Sequence, residues 1–260
     1  EVCKLLDFEL AISNPNEYDV IDYTKSQNVA VSLPSLRIDK FAFNVLDRIQ
    51  EFKKTSLTYA VEAGTQRLRD VINKGVREED VLTSISEALK LGWGHIKLYF
   101  MIGLPTETFE DLDGIVDLAK KITDINYEIN GRKGGRFNLN ISVSIFVPKA
   151  DTPFQWYPQD TNEMIREKQR YLREKLKMKN VVFSYHNNST SSLEAVFARG
   201  DRRLCDYLID VHKSGANLGA FKSVYKEYFK KNLLPESDFF ALRNIGTTES
   251  LPWEYIKSCI

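Results

Sequence analysis

The sequence predicts an α/β fold in which parallel strands are covered by helices, followed by a mostly helical C-terminal region. Short apolar runs alternate with amphipathic stretches over the first 150 residues, and this alternation is typical of strand–helix units. The run His95–Ile102 is strongly apolar, as expected of a strand in a covered parallel sheet. After Pro148 the sequence becomes more highly charged, and helical patterns dominate. These patterns fit either an open sheet or an arc of a barrel.

Each element follows from an apolar run or from apolar residues at helical spacing, bounded by turn residues. The predicted strands are Phe8–Ile12, Val29–Leu33, Ser56–Val61, His95–Ile102, Asn138–Phe146 and Val181–Tyr185. The predicted helices are Tyr18–Ser26, Lys40–Phe52, Thr65–Ile72, Glu78–Leu91, Thr108 to about Ile125, and Thr161–Lys179, with mostly helical structure over Ser191–Ile260. We expect Gly75 and Gly92 to end two of these helices, and Tyr127–Phe137 to form a Gly-rich, basic loop.

The predicted domain organisation divides the chain near residue 150. Residues 1–150 form the α/β part, and residues 151–260 form a connector, a charged helix, a strand and a helical region. Phe154, Trp156 and Tyr157 lie between prolines, and we expect them to pack the connector. Equal numbers of Lys+Arg and Asp+Glu, 36 each, give no clear signal for nucleic acid. No apolar run approaches the roughly 20 residues of a membrane span.

The cysteines give no local metal site. Cys3, Cys205 and Cys259 are scattered, with no CxxC or CxxxCxxC spacing, whereas zinc and all-cysteine iron–sulfur sites need three or four converging thiolates. We therefore expect free thiols in a cytoplasmic protein, and no metal ligands in this chain. The sequence also lacks HExxH, GxSxG, P-loop and GxGxxG motifs, so zinc-hydrolase, serine-hydrolase and nucleotide-fold hypotheses have no motif to support them.

The candidate binding residues follow predicted strands, because the carboxyl ends of parallel strands face the ligand crevice. In and after the strongly apolar strand His95–Ile102, the candidates are Tyr99, Met101, Ile102, Gly103 and Glu107. Main-chain groups there can contact the edge of an adenine, and Gly103 allows close approach because it has no side chain. Glu107 near a helix N-terminus can instead satisfy backbone donors.

Glu62, Lys74 and Arg37 form the second set of candidates. Glu62 ends a strand and can accept hydrogen bonds from ribose hydroxyls, while Lys74 can pair with a carboxylate. Arg37 can bind an anion or pair with an acid such as Glu62. The alternatives are a capping role for Glu62, a helix-dipole role for Lys74 and a structural ion pair for Arg37. An ordinary barrel enzyme that uses Glu62 and Lys74 in acid–base chemistry is a further alternative.

Taken in order, VEAGT (61–65), INKG (72–75) and MIGLPTET (101–108) resemble the fourth and fifth barrel strands of the radical S-adenosylmethionine (radical SAM) superfamily. The chain is similar over nearly its whole length to an uncharacterised bacterial family whose radical SAM domain follows a cobalamin-binding-like region. That similarity includes VSLPSLR (31–37), FVPK (146–149), TPFQW (152–156), LEAV (193–196), ARGDRR (198–203) and LPW (251–253).

The resemblance implies a truncated, partial TIM-type (β/α)6 barrel with a helical C-terminal extension. In such enzymes a CxxxCxxC loop holds a 4Fe–4S cluster, and one-electron reduction cleaves SAM to a 5′-deoxyadenosyl radical. Carried over to this sequence, Glu62 faces the ribose and Tyr99–Glu107 contact the adenine, mainly through the backbone of Met101–Gly103. Lys74 is implied as a partner of the SAM carboxylate.

The sequence departs from this pattern because the CxxxCxxC loop is absent and Cys3 does not match it. We expect SAM and the cluster in a full-length, oxidoreductase-like parent, and neither in this chain, which is predicted to be an inactive fragment. The alternative is a degenerate barrel that acts as a binding or protein-interaction module. The partner is an unidentified small-molecule or macromolecular substrate. Without a first strand, the sheet edge at Phe8–Ile12 or Val29–Leu33 also invites self-association.

Overall fold

The computed structural model describes residues 56–131, 137–235 and 239–254. The helices and strands predicted before residue 56, and the sheet edge expected there, lie outside these residues. Within the described part, the chain is α/β, with a parallel four-stranded sheet and eight helices, consistent with part of a TIM-type barrel. The predicted fold class is confirmed.

The strands lie in chain order across the sheet, and their bounds are β1 Leu57–Glu62, β2 His95–Ile102, β3 Asn138–Ile145 and β4 Val181–Tyr185. The helices are α1 Gln66–Val71, α2 Glu78–Lys90, α3 Phe109–Asn130, α4 Asn162–Lys175, α5 Asn188–Arg199, α6 Leu204–Lys213, α7 Leu218–Lys230 and α8 Phe239–Leu242. Strands β1 and β2 pair in parallel, with Leu57 opposite Ile96 and Glu62 opposite Phe100.

Helix α3 is longer than predicted and continues to Asn130, through the start of the loop expected from Tyr127. Asn126 is fully buried and extends the inward-facing stripe of Ile122. The Asn130 side-chain amide donates a hydrogen bond to Asn126 Oδ1 at 3.0 Å. Because this last buried residue is polar, apolar periodicity alone could not show that the helix continues.

Helix α4 ends at Lys175 rather than at about Lys179, as the sequence predicts.

The described residues divide into two compact units. The first contains residues 56–100, 109–131, 137–142 and 173–184, and the second contains residues 101–108, 143–172, 185–235 and 239–254. The division near residue 150 stays a prediction. None of the helices in the described part combines the length and apolar composition needed to cross a bilayer.

In the first unit, the turn after β1 lies directly against the backbone of α3. A Cβ atom on Gly64 would lie 2.1 Å from the Asp111 carbonyl oxygen and 2.6 Å from the Ile115 nitrogen. A Cβ atom on Gly114 would lie 2.7 Å from the carbonyl carbon of Gly64. Two glycines therefore allow a backbone-to-backbone contact that fixes the turn following Glu62.

Helix α1 ends in a Schellman motif, although not at the predicted glycine. The N–H of Asn73 donates to the Asp70 carbonyl, and the N–H of Lys74 donates to the Arg69 carbonyl. Asn73 has φ 53°, so it, and not Gly75, adopts the left-handed conformation, which asparagine tolerates better than most residues. Gly92, with φ 80°, ends α2 as predicted.

In the second unit, aromatic rings order the connector after Pro148. Phe154 makes edge contacts with Phe146 and Tyr157, with ring centroids 6.0 and 5.7 Å apart. Trp156 packs against a small cluster that includes Trp253. The prediction that aromatic residues pack this connector is confirmed.

The buried guanidinium of Arg199 holds the last described segment of the second unit. It donates hydrogen bonds to the carbonyl oxygens of Phe240, Ala241 and Arg243 at 2.8–3.0 Å. Burial lowers the pKa of Arg199 to about 10, and the neighbouring charge of Arg243 acts in the same direction.

We expect Gly64→Ala to lower the free energy of unfolding by about 3 kcal/mol, because its Cβ would overlap backbone atoms that cannot rotate away. Gly75→Ala is the matched control, because no atom would lie within 4 Å of a Cβ added at Gly75 and its φ is not left-handed. It should change stability by less than about 0.5 kcal/mol. Urea denaturation followed by circular dichroism measures both variants, and equal stabilities would contradict the backbone contact.

Candidate functional site

The turn after β2 is shaped by two left-handed residues and one buried carboxylate. Along the strand, Phe100 and Ile102 are buried, whereas Tyr99 and Met101 are partly exposed. Gly103 has φ 78° and Thr106 has φ 68°. The N–H of Gly103 donates to Glu107 Oε2 at 2.8 Å, which closes the turn on the side chain of Glu107.

Glu107 belongs to a three-residue charge cluster in which Glu107 and Lys168 are buried and Asp160 is partly exposed. The Lys168 Nζ donates to Glu107 Oε2 at 2.6 Å and to Asp160 Oδ2 at 2.7 Å. The side chain of Glu107 is 1% exposed and that of Lys168 is 7% exposed. An ammonium group from α4 thus lies between a carboxylate of the β2 turn and a carboxylate that precedes α4.

Burial raises the pKa of Glu107, and the charge of Lys168 together with hydrogen bonds from Lys168 and Gly103 offsets only part of this effect. For Lys168, burial acts to lower the pKa, but the charges and hydrogen bonds of Glu107 and Asp160 outweigh it, so the pKa is raised. The cluster is therefore stable only while the ammonium group remains in place.

Within this unit, protein atoms already occupy the space beside Gly103. A Cβ atom there would lie 3.0 Å from Ile165 Cδ1 and 3.2 Å from Asp160 Oδ2. The Ile102 carbonyl accepts a hydrogen bond from the Phe146 N–H at 2.9 Å. The close approach expected at Gly103 is therefore made by protein atoms, and two of the candidate backbone groups serve to shape the turn.

Glu62 and Lys74, the second pair of predicted residues, meet in the first unit. Lys74 Nζ lies 3.4 Å from Glu62 Oε1, and the two side chains are 32% and 25% exposed. Glu62 has φ 71°, and the pairing of β1 with β2 shifts register between Ala60 and Glu62. A left-handed glutamate is sterically unfavourable by ~1–2 kcal/mol, so neighbouring contacts must hold it in this conformation.

The neighbouring turn residues are held by a buried arginine. Arg69 donates to the carbonyl oxygens of Ala63 and Gly64, at 2.9 and 3.3 Å. Burial lowers the pKa of Arg69, and nearby Glu78 and Asp70 act against that effect. The residues after Glu62 are thus fixed both by this guanidinium and by the contact of Gly64 with α3.

Asp111 is a contributor that the sequence did not reveal. Its side chain is 2% exposed and accepts hydrogen bonds from the Thr65 hydroxyl and the Arg67 guanidinium. Thr65 in turn caps α1 by accepting from the Leu68 N–H at 3.2 Å. No local pattern distinguishes this aspartate from a solvated one.

The described residues do not fit an iron–sulfur cluster. Across 56–131, 137–235 and 239–254, no three His, Cys, Asp or Glu side chains are grouped to hold a metal ion. Cys205 is exposed, and Cys3 and Cys259 lie outside these ranges. The expectation that this chain binds no cluster stays a prediction.

Residues 7–119 match the family model of the radical SAM superfamily. A radical SAM superfamily domain is thus detected over this part of the sequence. The matched region contains Glu62, Lys74 and the whole β2 turn, together with Arg37, which lies outside the described residues. The resemblance drawn from the sequence motifs is confirmed at the level of the superfamily.

Two curated relatives of this chain come from archaea, whereas its motifs resemble a bacterial family. An uncharacterized protein of Methanocaldococcus jannaschii is 34% identical over 200 residues, covering 77% of this chain and 41% of the relative. An uncharacterized methyltransferase of Pyrococcus horikoshii is 26% identical over 125 residues, covering 48% of this chain and 27% of the relative. The chain thus spans less than half the length of each.

We expect Lys168→Met to lower the free energy of unfolding by about 3 kcal/mol at neutral pH, because Glu107 would be left as an unpaired buried charge. The folded-state pKa of Glu107 would rise further above its unfolded value. Stability would then be lost as the pH rises above that unfolded value, so the loss should be larger at about pH 8 than at about pH 5.

Lys175→Met is the matched control for this variant, because Lys175 pairs with Asp113 where both side chains are more than 40% exposed. We expect it to change stability by less than about 1 kcal/mol. Thermal and urea unfolding at both pH values measure the effect. A Lys168→Met loss that does not depend on pH would contradict the assignment of an unpaired Glu107 carboxylate.

Proposed function

We propose that the protein containing this chain is a radical SAM enzyme that reductively cleaves SAM, and that Glu62 and Lys74 at the end of β1 bind SAM. The observation that carries this proposal is Glu62: a carboxylate at a parallel strand end, held in a left-handed conformation and still partly exposed. Strained residues concentrate at functional sites because the surrounding structure must over-determine them. Glu62 also lies inside the superfamily match.

The Glu62–Lys74 pair suits a site that exchanges partners with a ligand. Its Nζ–Oε1 distance of 3.4 Å is longer than the roughly 2.7–2.9 Å of a strong charge-assisted hydrogen bond. Both groups therefore retain capacity for other partners. In the proposed complex, Glu62 accepts hydrogen bonds from the ribose hydroxyls of SAM, and Lys74 donates to its carboxylate.

Tyr99, a partly exposed residue of β2 in the first unit, is the further residue that faces the ligand in this proposal. Met101, Ile102 and Gly103 stay proposed binding residues on sequence grounds. Glu107 is a positioning residue, because it fixes the Gly103 N–H and is itself held by Lys168. Arg37 stays a proposed anion-binding residue on sequence grounds. An iron–sulfur cluster held elsewhere in the full-length protein would supply the electron for SAM cleavage, and Glu62 and Lys74 would contribute the binding and orientation of SAM.

Two other functions remain as alternatives. The name of the Pyrococcus horikoshii relative favours methyl transfer as the overall reaction. A barrel that serves only as a binding or protein-interaction module is the other alternative. The three possibilities differ in the product released from SAM.

We expect the full-length natural protein, reconstituted anaerobically with iron and sulfide and reduced with dithionite, to convert SAM to 5′-deoxyadenosine. Glu62→Gln keeps the shape of the side chain but removes its charge, so it should raise the KM for SAM about tenfold through loss of charged hydrogen bonds. Glu87→Gln is the matched control, since Glu87 pairs with Lys90 on the exposed face of α2. Chromatography of the released nucleosides measures 5′-deoxyadenosine formation, and hence the KM for SAM, for both variants.

Release of S-adenosylhomocysteine without 5′-deoxyadenosine would favour methyl transfer by a non-radical route. A protein that binds no cluster and releases neither nucleoside would favour the binding module. Equal KM values for Glu62→Gln and Glu87→Gln would contradict the role of Glu62. The 260-residue chain alone is expected to release neither product.

A further inference from the structure

The helical part of the second unit contains a cavity of about 550 Å³, lined mainly by residues of α5 and α7 together with Tyr207 of α6. This volume lies within the roughly 300–1,000 Å³ typical of small-molecule sites. The cavity is formed within the second unit alone.

Aromatic rings form the apolar wall of this cavity. Tyr207 is fully buried and makes edge contacts with Phe221 and Tyr225, with centroids 6.3 and 5.2 Å apart. The Tyr207 hydroxyl donates to the Phe221 carbonyl at 2.9 Å, which fixes one ring to the facing helix. Phe229 also lines the cavity and is 42% exposed. A preformed aromatic wall with an exposed ring is suited to a flat apolar ligand.

The charged groups of the lining are two lysines, Lys222 and Lys226, one helical turn apart on α7. Residues four apart project from the same face of a helix. Within the described residues, neither ammonium group has a carboxylate at salt-bridge distance, and no lining residue is acidic. The charge of the lining is therefore positive, and it is concentrated on one helix.

Polar groups of α5 add to this positive side. Lys222 Nζ lies 3.3 Å from Ser189 Oγ, in the first turn of α5, where the helix dipole favours negative charge. Ser192, one turn further along α5, donates to Asn162 Oδ1 at 3.3 Å and also lines the cavity. An anionic group would therefore meet two ammonium groups, the Ser189 hydroxyl, which keeps its own proton, and the positive end of a helix.

We propose that this cavity binds an amphipathic organic anion: a ligand with an apolar, aromatic body packed against Phe221 and Phe229, which Tyr207 supports from behind, and an acidic group held by Lys222 and Lys226. The apolar wall excludes a simple inorganic anion as the full occupant, because most of the lining would remain unmatched. A cationic or neutral ligand is disfavoured because it would leave the positive charges of Lys222 and Lys226 unmatched. This inference does not depend on the proposed SAM chemistry.

The test titrates the 260-residue chain with 1-anilinonaphthalene-8-sulfonate and, separately, with N-phenyl-1-naphthylamine, which is the same molecule without the sulfonate. We expect the sulfonate to bind at one site per chain, with a rise in fluorescence, and about tenfold more tightly than the neutral compound, as hydrogen bonds to charged groups predict. Cooperative thermal unfolding of the same sample excludes fluorescence from a loosely packed state.

Variants distinguish the contribution of the lysine charges to binding from that of the aromatic wall of the cavity. Lys222→Met with Lys226→Met should weaken sulfonate binding about tenfold and leave binding of the neutral compound nearly unchanged. Lys213→Met with Lys230→Met removes the same net charge from exposed positions that do not line the cavity, and it should leave both affinities unchanged. Ser192→Trp fills the cavity and should abolish binding of both compounds.

Two results would overturn the proposal. One is equal affinity of the wild-type chain for the charged and the neutral compound. The other is equal weakening by the two double-lysine variants, which would show that net charge and not the cavity lysines attracts the sulfonate. Binding that persists in a folded Ser192→Trp variant would likewise place the probe elsewhere.

Discussion

The buried carboxylate of Glu107 is the interaction on which the turn after β2 depends. A charged group that is 1% exposed is unfavourable unless it is paired and hydrogen-bonded, and here Lys168 and the Gly103 N–H meet both needs. The same contacts that stabilise the carboxylate also fix the backbone where the strand ends. Asp160 completes the cluster by accepting the second hydrogen bond of Lys168, so helix α4 is tied to the turn by charge as well as by packing.

In the first unit, the turn after β1 is also fixed by buried polar groups and close backbone contacts. The strand end at Glu62 is strained, and the residues that follow it are held by a buried guanidinium, by a glycine-to-helix backbone contact and by the hydrogen bonds of Asp111. A left-handed glutamate persists only where the surrounding structure restrains it, and these contacts supply that restraint. The outcome is a rigid backbone that leaves one carboxylate partly exposed, which is a suitable arrangement for a ligand that carries hydroxyl groups.

The sequence predicted the features that local patterns control. The apolar run of β2 gave its bounds to the residue, and the motifs around Glu62 and Gly103 indicated the superfamily. Features that depend on distant residues could not be predicted: Lys168 is 61 residues from Glu107 and lies in a highly charged helix, where a solvated lysine is the ordinary expectation. The burial of Asp111 likewise depends on distant residues, Thr65 and Arg67. Asn73 takes the left-handed position predicted for a glycine, because asparagine also tolerates that conformation.

Binding of SAM by Glu62 and Lys74 at the end of β1 is tested most directly by amide hydrogen exchange of the reduced, cluster-containing natural protein, measured by mass spectrometry with and without SAM. We expect SAM to slow exchange in peptides covering residues 57–75, while peptides that cover only α2 exchange as before. Protection confined to other parts of the chain, or no protection at saturating SAM, would contradict it.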